Sequence, residues 1–497
     1  MVWLVGAFLL LWLAWGPIVP LVAAALLCIP HVRRWMQDLA RPDARSVGIA
    51  AATVGGLTAA VLAIPDGWLP IPPAPGVWAV PAYVGRPATP QPIATEVPQN
   101  PHRVAGAPAT RPGPLGVQPE VETAWLGAQR CGELAPTSTG VLVARCTEGS
   151  ASRLRLVDPE TMQITATHDL GDLGDDPACA RDAFYVDDRD RAVVGSDRAV
   201  SAYRTIAKTS ALAVADTWDL KPWIPFGDCV VGIAPDWSGL VWWVSRDGLV
   251  GTIEPGSGRV AVIDLAEPVR HGLAVDEGGA YVVSDDALHR LAAGPDGTPA
   301  VGWRTEYAGS SGSAPVLLDG GVLAVTDEVD GRLGVAFLAR DTGAEICRQS
   351  VFEEGDGSTD STLASLGRGV VVANNHGYSS PRSTLLGLTS DPGISRVDLV
   401  DSGCVVRWTS EAVSPSSGAT ASWPNGLVYA WTKRPSLAGV SAWYLTALDA
   451  GSGRSMWSVR TGTGLMAGSD GSRITLGADG SAWLGTLAGL VRVRDRQ

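Results

Sequence analysis

The chain has 497 residues, with 38 Lys and Arg against 51 Asp and Glu, a formal charge of −13. An acidic chain whose basic residues form no stripe cannot collect phosphate contacts, which excludes nucleic acid as a partner. Nearly every basic residue is Arg, Lys standing only at 208, 221 and 433; with four Asn in all, this is the composition of a high-GC, actinobacterial-type bacterium.

The first element is apolar. Residues 2–29, VWLVGAFLLLWLAWGPIVPLVAAALLCI, hold no charge, and at 1.5 Å per residue they suffice for a bilayer core of about 30 Å. A second run, 46–64, is richer in small residues, with Gly48, Ala52, Gly55 and Ala59 spaced for close helix packing. Residues 1–64 are therefore expected to form a two-helix membrane anchor. Arg33, Arg34, Arg41 and Arg45 crowd the loop 30–45, which places it in the cytoplasm, with both termini and the large domain outside the cell membrane. A cleaved signal peptide fits less well, because no basic segment precedes the run and the run is long.

Residues 65–120 are loaded with proline, from PDGWLPIPPAPG to RPGPLGVQPE. Proline at this density disfavours helix and central strand and favours an extended spacer, here an extracytoplasmic linker that contributes no strand. A proline-rich docking motif is the alternative.

From 121 to 497 no segment carries apolar residues at helical spacing. Short apolar strands recur instead, separated by Gly, Asp and Ser turns, with a period near 40 residues. Four strands per repeat of that length is the β-propeller unit. The clearest copy runs from His271 to Tyr307, punctuated by Glu277-Gly278 and Asp296-Gly297. The last copy has only three strands before Gln497, and Glu122–Gly127, ETAWLG, is a strand without a partner in the first copy. That leads to an all-β propeller of about eight blades, the N-terminal strand completing the last one. Seven blades is the alternative if one unit is an insertion.

Six of the seven Cys fall in this region and Cys28 in the first apolar run. An even number in an exported domain reads as disulfides. Cys131 and Cys146 lie on two arms of one hairpin, Cys179 and Cys229 open successive blades, and Cys347 with Cys404 lie on outer strands of adjacent blades. No Cys or His spacing matches a zinc site.

Ala447–Trp457 reads ALDAGSGRSMW. It resembles the A-x-D-x-x-[ST]-G-x-x-x-W docking motif of quinoprotein (PQQ) dehydrogenase-like propellers, with Ala447, Asp449, Ser452, Gly453 and Trp457 at the motif positions. Degenerate copies occur at Asp341-Thr342-Gly343, at Asp401-Ser402-Gly403 with Trp408, and at Glu254–Gly258. The resemblance implies the fold, with the Asp and Ser-Gly forming a tight turn and the Trp packing on the neighbouring blade. It implies activity less firmly, since the superfamily holds enzymes and non-catalytic scaffolds. The vicinal Cys pair of many PQQ dehydrogenases is absent.

No nucleophile elbow, phosphate loop or HExxH motif occurs. Asn374-Asn375-His376-Gly377-Tyr378 follows the apolar VVVA, and Asn oxygens suit Ca2+, which lactonase-type propellers bind with Asn, Asp and Glu. Asp360 could join Asn374 and Asn375 in a metal site, and the acidic loop Glu353–Ser361, with Asp356 and Asp360, is a second candidate; the same residues also read as a turn and a solvated loop. Asp228 and His271 stand near starts of inner strands. Three readings follow: a non-enzymatic binding or scaffold module, an accessory subunit partnering membrane and cell-envelope proteins; a Ca2+-dependent lactonase or hydrolase; and a PQQ-dependent oxidoreductase.

Overall fold

The computed structural model describes residues 80–496 apart from 96–97, 105–107, 173–178, 180–182, 207–210, 307–312 and 435–440, together with parts of 6–56. From Glu120 onward the chain forms eight four-stranded antiparallel sheets, each a blade of a propeller. Blades 1 to 7 begin with the inner strands Arg130–Pro136, Phe184–Val186, Val230–Pro235, Leu273–Asp276, Val316–Leu318, Ala364–Leu366 and Thr420–Ser422, and each takes its next three strands in sequence order. Blade 8 is built from Thr475–Leu476, Ala482–Thr486, Gly489–Arg494 and, as its outermost strand, Glu120–Trp125. Glu120 pairs with Arg494 and Trp125 with Gly489. The expected closure is therefore present, two residues upstream of ETAWLG.

The burial of each strand follows from its place in the blade. Middle strands are covered on both sides by neighbouring blades, so they read as unbroken apolar runs rather than alternating ones. All five residues of Val241–Ser245, VWWVS, are buried, while the outermost strand of the same blade, Arg259–Asp264, is partly open along its length. Large flat side chains fill these sandwich layers: Trp242, Trp243, Trp431, Trp443 and Trp457 are all fully buried.

The docking turns lock one blade to the next. Asp449 Oδ1 accepts the N–H of Ser452 at 2.8 Å and its hydroxyl at 2.6 Å. Gly453 takes φ +70°, and a Cβ there would stand 2.5 Å from the ring of Trp408 on blade 6. Trp408 Nε1 donates to Ala450 O at 2.9 Å. Blade 5 repeats the arrangement: Gly343 lies under Trp303 of blade 4, whose Nε1 donates to Arg340 O at 3.0 Å. Trp457 of blade 7 meets no such contiguous turn. It packs on Gly116, φ +84°, where a Cβ would stand 2.6 Å away, and Asp495 accepts the N–H groups of Leu115, Gly116 and Val117. The turn of blade 8 is thus assembled from both ends of the domain, its Asp from the C-terminal side and its Gly from the N-terminal side.

The segment expected as a free spacer is bound to the propeller wherever it is described; residues 65–79 lie outside the described residues. Tyr83–Gly85 adds a fifth strand to blade 7, Tyr83 opposite Val459 and Gly85 opposite Trp457. The chain then crosses the loops that join first to second strands. Gln91 N–H donates to Asn425 O and Ile93 N–H to Trp423 O on blade 7, Asn100 Nδ2 to Pro235 O on blade 3, and Val104 N–H to Val186 O on blade 2. It returns to blade 7, where Trp423 N–H donates to Ala109 O, Asn425 Nδ2 to Gly113 O and Tyr429 OH to Pro114 O. Proline prevents this strap from folding on itself and leaves carbonyls that loops can engage, so the extended conformation was foreseen but its attachment was not. The expectation that it contributes no strand is corrected.

The expectation of a membrane anchor is corrected as well. Among the described residues no helix is long and apolar enough to cross a membrane. The first apolar run gives a ten-residue helix, Ile18–Leu27, and after a turn at Cys28 and Ile29 a second of ten residues, Pro30–Leu39, which carries Arg33, Arg34 and Asp38. Much of both runs, including 57–64, lies outside the described residues. The two spans, the cytoplasmic loop and the outward-facing domain therefore have no structural basis here.

Candidate functional site

The propeller has two unlike faces. The lower face, made by the loops joining first to second and third to fourth strands, carries the strap. The upper face, made by the remaining loops, is free of it among the described residues, and the metal-site residues lie there, as do Asp228 and His271.

Asn374 and Asn375 end the second strand of blade 6. Asn374 Oδ1 accepts the N–H groups of Ser358 and His376, and its Nδ2 donates to Asp356 O and Pro392 O. Asn375 Oδ1 accepts from Thr359 Oγ1, Asp360 N–H and Ser361 Oγ, and its Nδ2 donates to Ser414 O. Both amides are buried and act as hubs that pin the loop 356–361 to the blade. Their oxygens are thereby spent, and Asp360 joins through its backbone while the residue stays exposed. What this scaffold does gather is Asp356, His376 and Asp391, whose ligand atoms lie within 4.8 Å of one another. His376 Nδ1 stands 2.6 Å from Asp391 Oδ2, both half-exposed. One imidazole and two carboxylates can accept a divalent cation, though a solvated ion pair satisfies them equally. Asp391 gave no sequence signal, because a 3-10 insertion, Pro381–Gly387, separates it from His376.

A second polar group sits between blades 3 and 4. His289 Nε2 lies 3.1 Å from Glu267 Oε2 and 3.4 Å from Ser284 Oγ. In a hydrolytic triad the carboxylate and the hydroxyl address opposite imidazole nitrogens. Here both address Nε2, and Nδ1 is buried without a partner. Ser284 Oγ also accepts the N–H groups of Asp286 and Ala287, so the serine shapes a turn and is not a poised nucleophile. Burial pushes His289 below its ordinary pKa, which keeps the ring neutral.

The inner strands bring no carboxylate ring to the channel among the described residues. Their charged members Arg130, Glu133 and Asp276 are engaged elsewhere: Arg130 with Asp470, Glu133 with Arg145, and Asp276 with Tyr281 and Arg340. His271 is half-buried before the first strand of blade 4.

The feature missed in the sequence is the connection from blade 2 to blade 3, Lys221-Pro222-Trp223-Ile224-Pro225-Phe226. Ile224 is fully buried, and its N–H and that of Trp223 donate to Leu220 O. The two prolines stiffen what lies either side of that anchor. Trp223 is 40% exposed and Phe226 93%, with the Arg198 guanidinium 5.6 Å from the Phe226 ring centroid. The Cys179–Cys229 disulfide ties the residues after the loop to the segment ahead of blade 2. The other two pairs are also bonded, Cys131 with Cys146 and Cys347 with Cys404. Aromatics bracketed by proline at a blade junction were the signal that could have found this hairpin.

No family model matches the chain. An uncharacterized protein of Archaeoglobus fulgidus is 25% identical over 404 residues, which are 70% of this chain and 76% of that protein. Among solved structures, the quinohemoprotein alcohol dehydrogenase of Comamonas testosteroni is similar at 12% identity and a TM-score of 0.49, over 80% of this chain and 82% of that one. Virginiamycin B lyase of Staphylococcus aureus is similar at 8% identity and 0.44, over 76% and 99%. At such identities these likenesses carry nothing about chemistry.

Proposed function

We propose that this propeller is a non-enzymatic binding module, a scaffold or accessory subunit that takes a protein partner on its upper face. The observation that carries the reading is the rigid hairpin, which anchors Ile224 in the core and holds Phe226 93% exposed. Burying such an aromatic recovers about 1.5–3 kcal/mol, and aromatic anchors of this kind dominate binding energy at protein interfaces. The described part of the strap lies on the lower face and so leaves the upper-face loops unobstructed. The lactonase reading is weakened by the spent oxygens of Asn374 and Asn375, and the PQQ reading rests on the docking motif alone.

The test uses the full chain as bait in an extract of its source cells, beside a Trp223→Ser/Phe226→Ser double variant. Ile206→Ser, which changes another exposed apolar residue, on the lower face (77% exposed), is the control. Species captured by the wild type and by Ile206→Ser but lost with the hairpin variant are the expected result. Equal capture by all three overturns the proposal.

A further inference from the structure

At the foot of the hairpin lies a cavity of about 430 Å³ walled by Lys221, Trp223, Pro225, Asp228, Asp247 and Asp264. Three carboxylates therefore face one ammonium group. Asp228 is only 2% exposed. Its Oδ1 accepts the N–H groups of Cys229 at 2.7 Å and Asp247 at 3.1 Å, the Ser245 hydroxyl also bears on the carboxyl, and its Oδ2 is buried without a close hydrogen-bond partner. A buried carboxylate oxygen without a close donor is costly, and a donor from outside the described chain would offset that cost. The other two acids are already part-engaged, Asp247 by Arg246 at 2.9 Å and Asp264 by the N–H of Ala266 at 2.7 Å.

We infer that this cavity receives an arginine side chain of the protein partner, its guanidinium stacked on Trp223 and donating to Asp228 Oδ2. The inference rests on the reading of the hairpin as a docking element. Arginine fits better than a compact ammonium: its plane stacks on an aromatic ring, its fork donates to carboxylate oxygens, and it sheds water more cheaply. The neighbouring Phe226 already receives Arg198 in this manner. A chain of net charge −13 also draws a basic segment towards it over longer range.

The experiment is calorimetric titration of the full chain at low salt with a blocked hexa-arginine peptide, a blocked hexa-glutamate peptide and arginine amide. Hexa-arginine should bind with one-to-one stoichiometry and hexa-glutamate not at all. Asp228→Asn, which keeps the Oδ1 acceptor, and Trp223→Ala should each weaken hexa-arginine at least tenfold. Asp188→Asn, which removes the same charge from the exposed lower face, should not. Equal weakening by Asp188→Asn makes the binding mere attraction to an acidic surface and overturns the assignment. So do absent hexa-arginine binding, arginine amide binding as tightly as the peptide, and displacement of the peptide by stoichiometric Ca2+. Trp223→Ala decides the case if Asp228→Asn does not fold. Lost capture by the hairpin variant together with absent hexa-arginine binding would overturn this inference alone. Intact arginine binding with unchanged capture would overturn the docking reading instead.

Discussion

Asn374 and Lys433 show how much a single polar side chain decides on the upper face. All four hydrogen bonds of Asn374 end on backbone, two of them on the loop 356–361, so Asn374→Ala strands two carbonyls and two N–H groups at once. A loss of about 2–4 kcal/mol is expected, readable by urea unfolding, with 356–361 becoming protease-sensitive. Millimolar Ca2+ should leave the melting temperature of the wild type unchanged, because the amide oxygens a calcium site would need are occupied. Lys433 is 1% exposed, donates from Nζ to Leu388 O and lies over Trp443. With no carboxylate paired to it, burial lowers its pKa from 10.5 to about 8. The folded state therefore binds fewer protons than the unfolded state between those two values, and stability rises with pH across that window. Below pH 8 the penalty is complete. Lys433→Met should accordingly stabilise the protein at pH 7, by at most roughly 3 kcal/mol, and the gain should fade towards pH 10.5. A gain that does not vary with pH would point to packing rather than charge.

At the scale of strands and turns, blades are held face to face by three devices: flat aromatics, docking turns and disulfides. Cys347 and Cys404 join the outermost strands of blades 5 and 6, where the spreading blades have least contact. Their closed loop spans 57 positions, for which chain entropy gives about 4 kcal/mol as an upper value. A Cys347→Ser/Cys404→Ser variant should lose up to that much, and dithiothreitol should then lower its melting temperature less than that of the wild type. The docking turns explain why one complete motif and several degenerate copies suffice. What the site requires is a Gly under the neighbouring Trp: in blade 5 the N–H of Gly343 donates to Ala339 O, so that turn closes on backbone alone, with Ala339 where blade 7 has Asp449.

For the whole molecule, closure is the controlling event. Arg492 is fully buried; it donates to Glu122 on the closing strand and to Pro159 O on blade 1, so one guanidinium spans the seam. Glu122→Ala leaves that charge uncompensated and should cost roughly 3 kcal/mol. Truncation from Leu490 removes the partner of the closing strand, and it should lower the stability of all eight blades together rather than fray one end. A truncated protein that melts like the full chain would refute this account of closure. Deleting 81–117 takes away the fifth strand of blade 7 and the three donors to Asp495. It should therefore lower the melting temperature by differential scanning calorimetry, where a free spacer would have left it unchanged.

The sequence by itself determined the repeat, the blade frame, the closing strand and the three cysteine pairs. Each of these follows from local pattern: an apolar run ended by a Gly or Asp turn, or cysteines at equivalent places in successive units. Only the tertiary structure decided what lies across blades. The strap looks like a spacer because proline encodes extension and says nothing of what an extended chain touches. The blade 8 turn joins Asp495 to Gly116, 379 positions apart, and no window of sequence contains both. Asn374 and Asn375 were legible as special, but whether an amide oxygen faces a cation or a loop N–H depends on residues brought in from elsewhere. The hydropathy of 2–29 suggested a span, yet among the described residues no helix is long and apolar enough to cross a membrane, and the chain turns at Cys28 and Ile29. Local pattern fixes which segments become strands; packing between distant segments decides which polar atoms and which face remain for a partner.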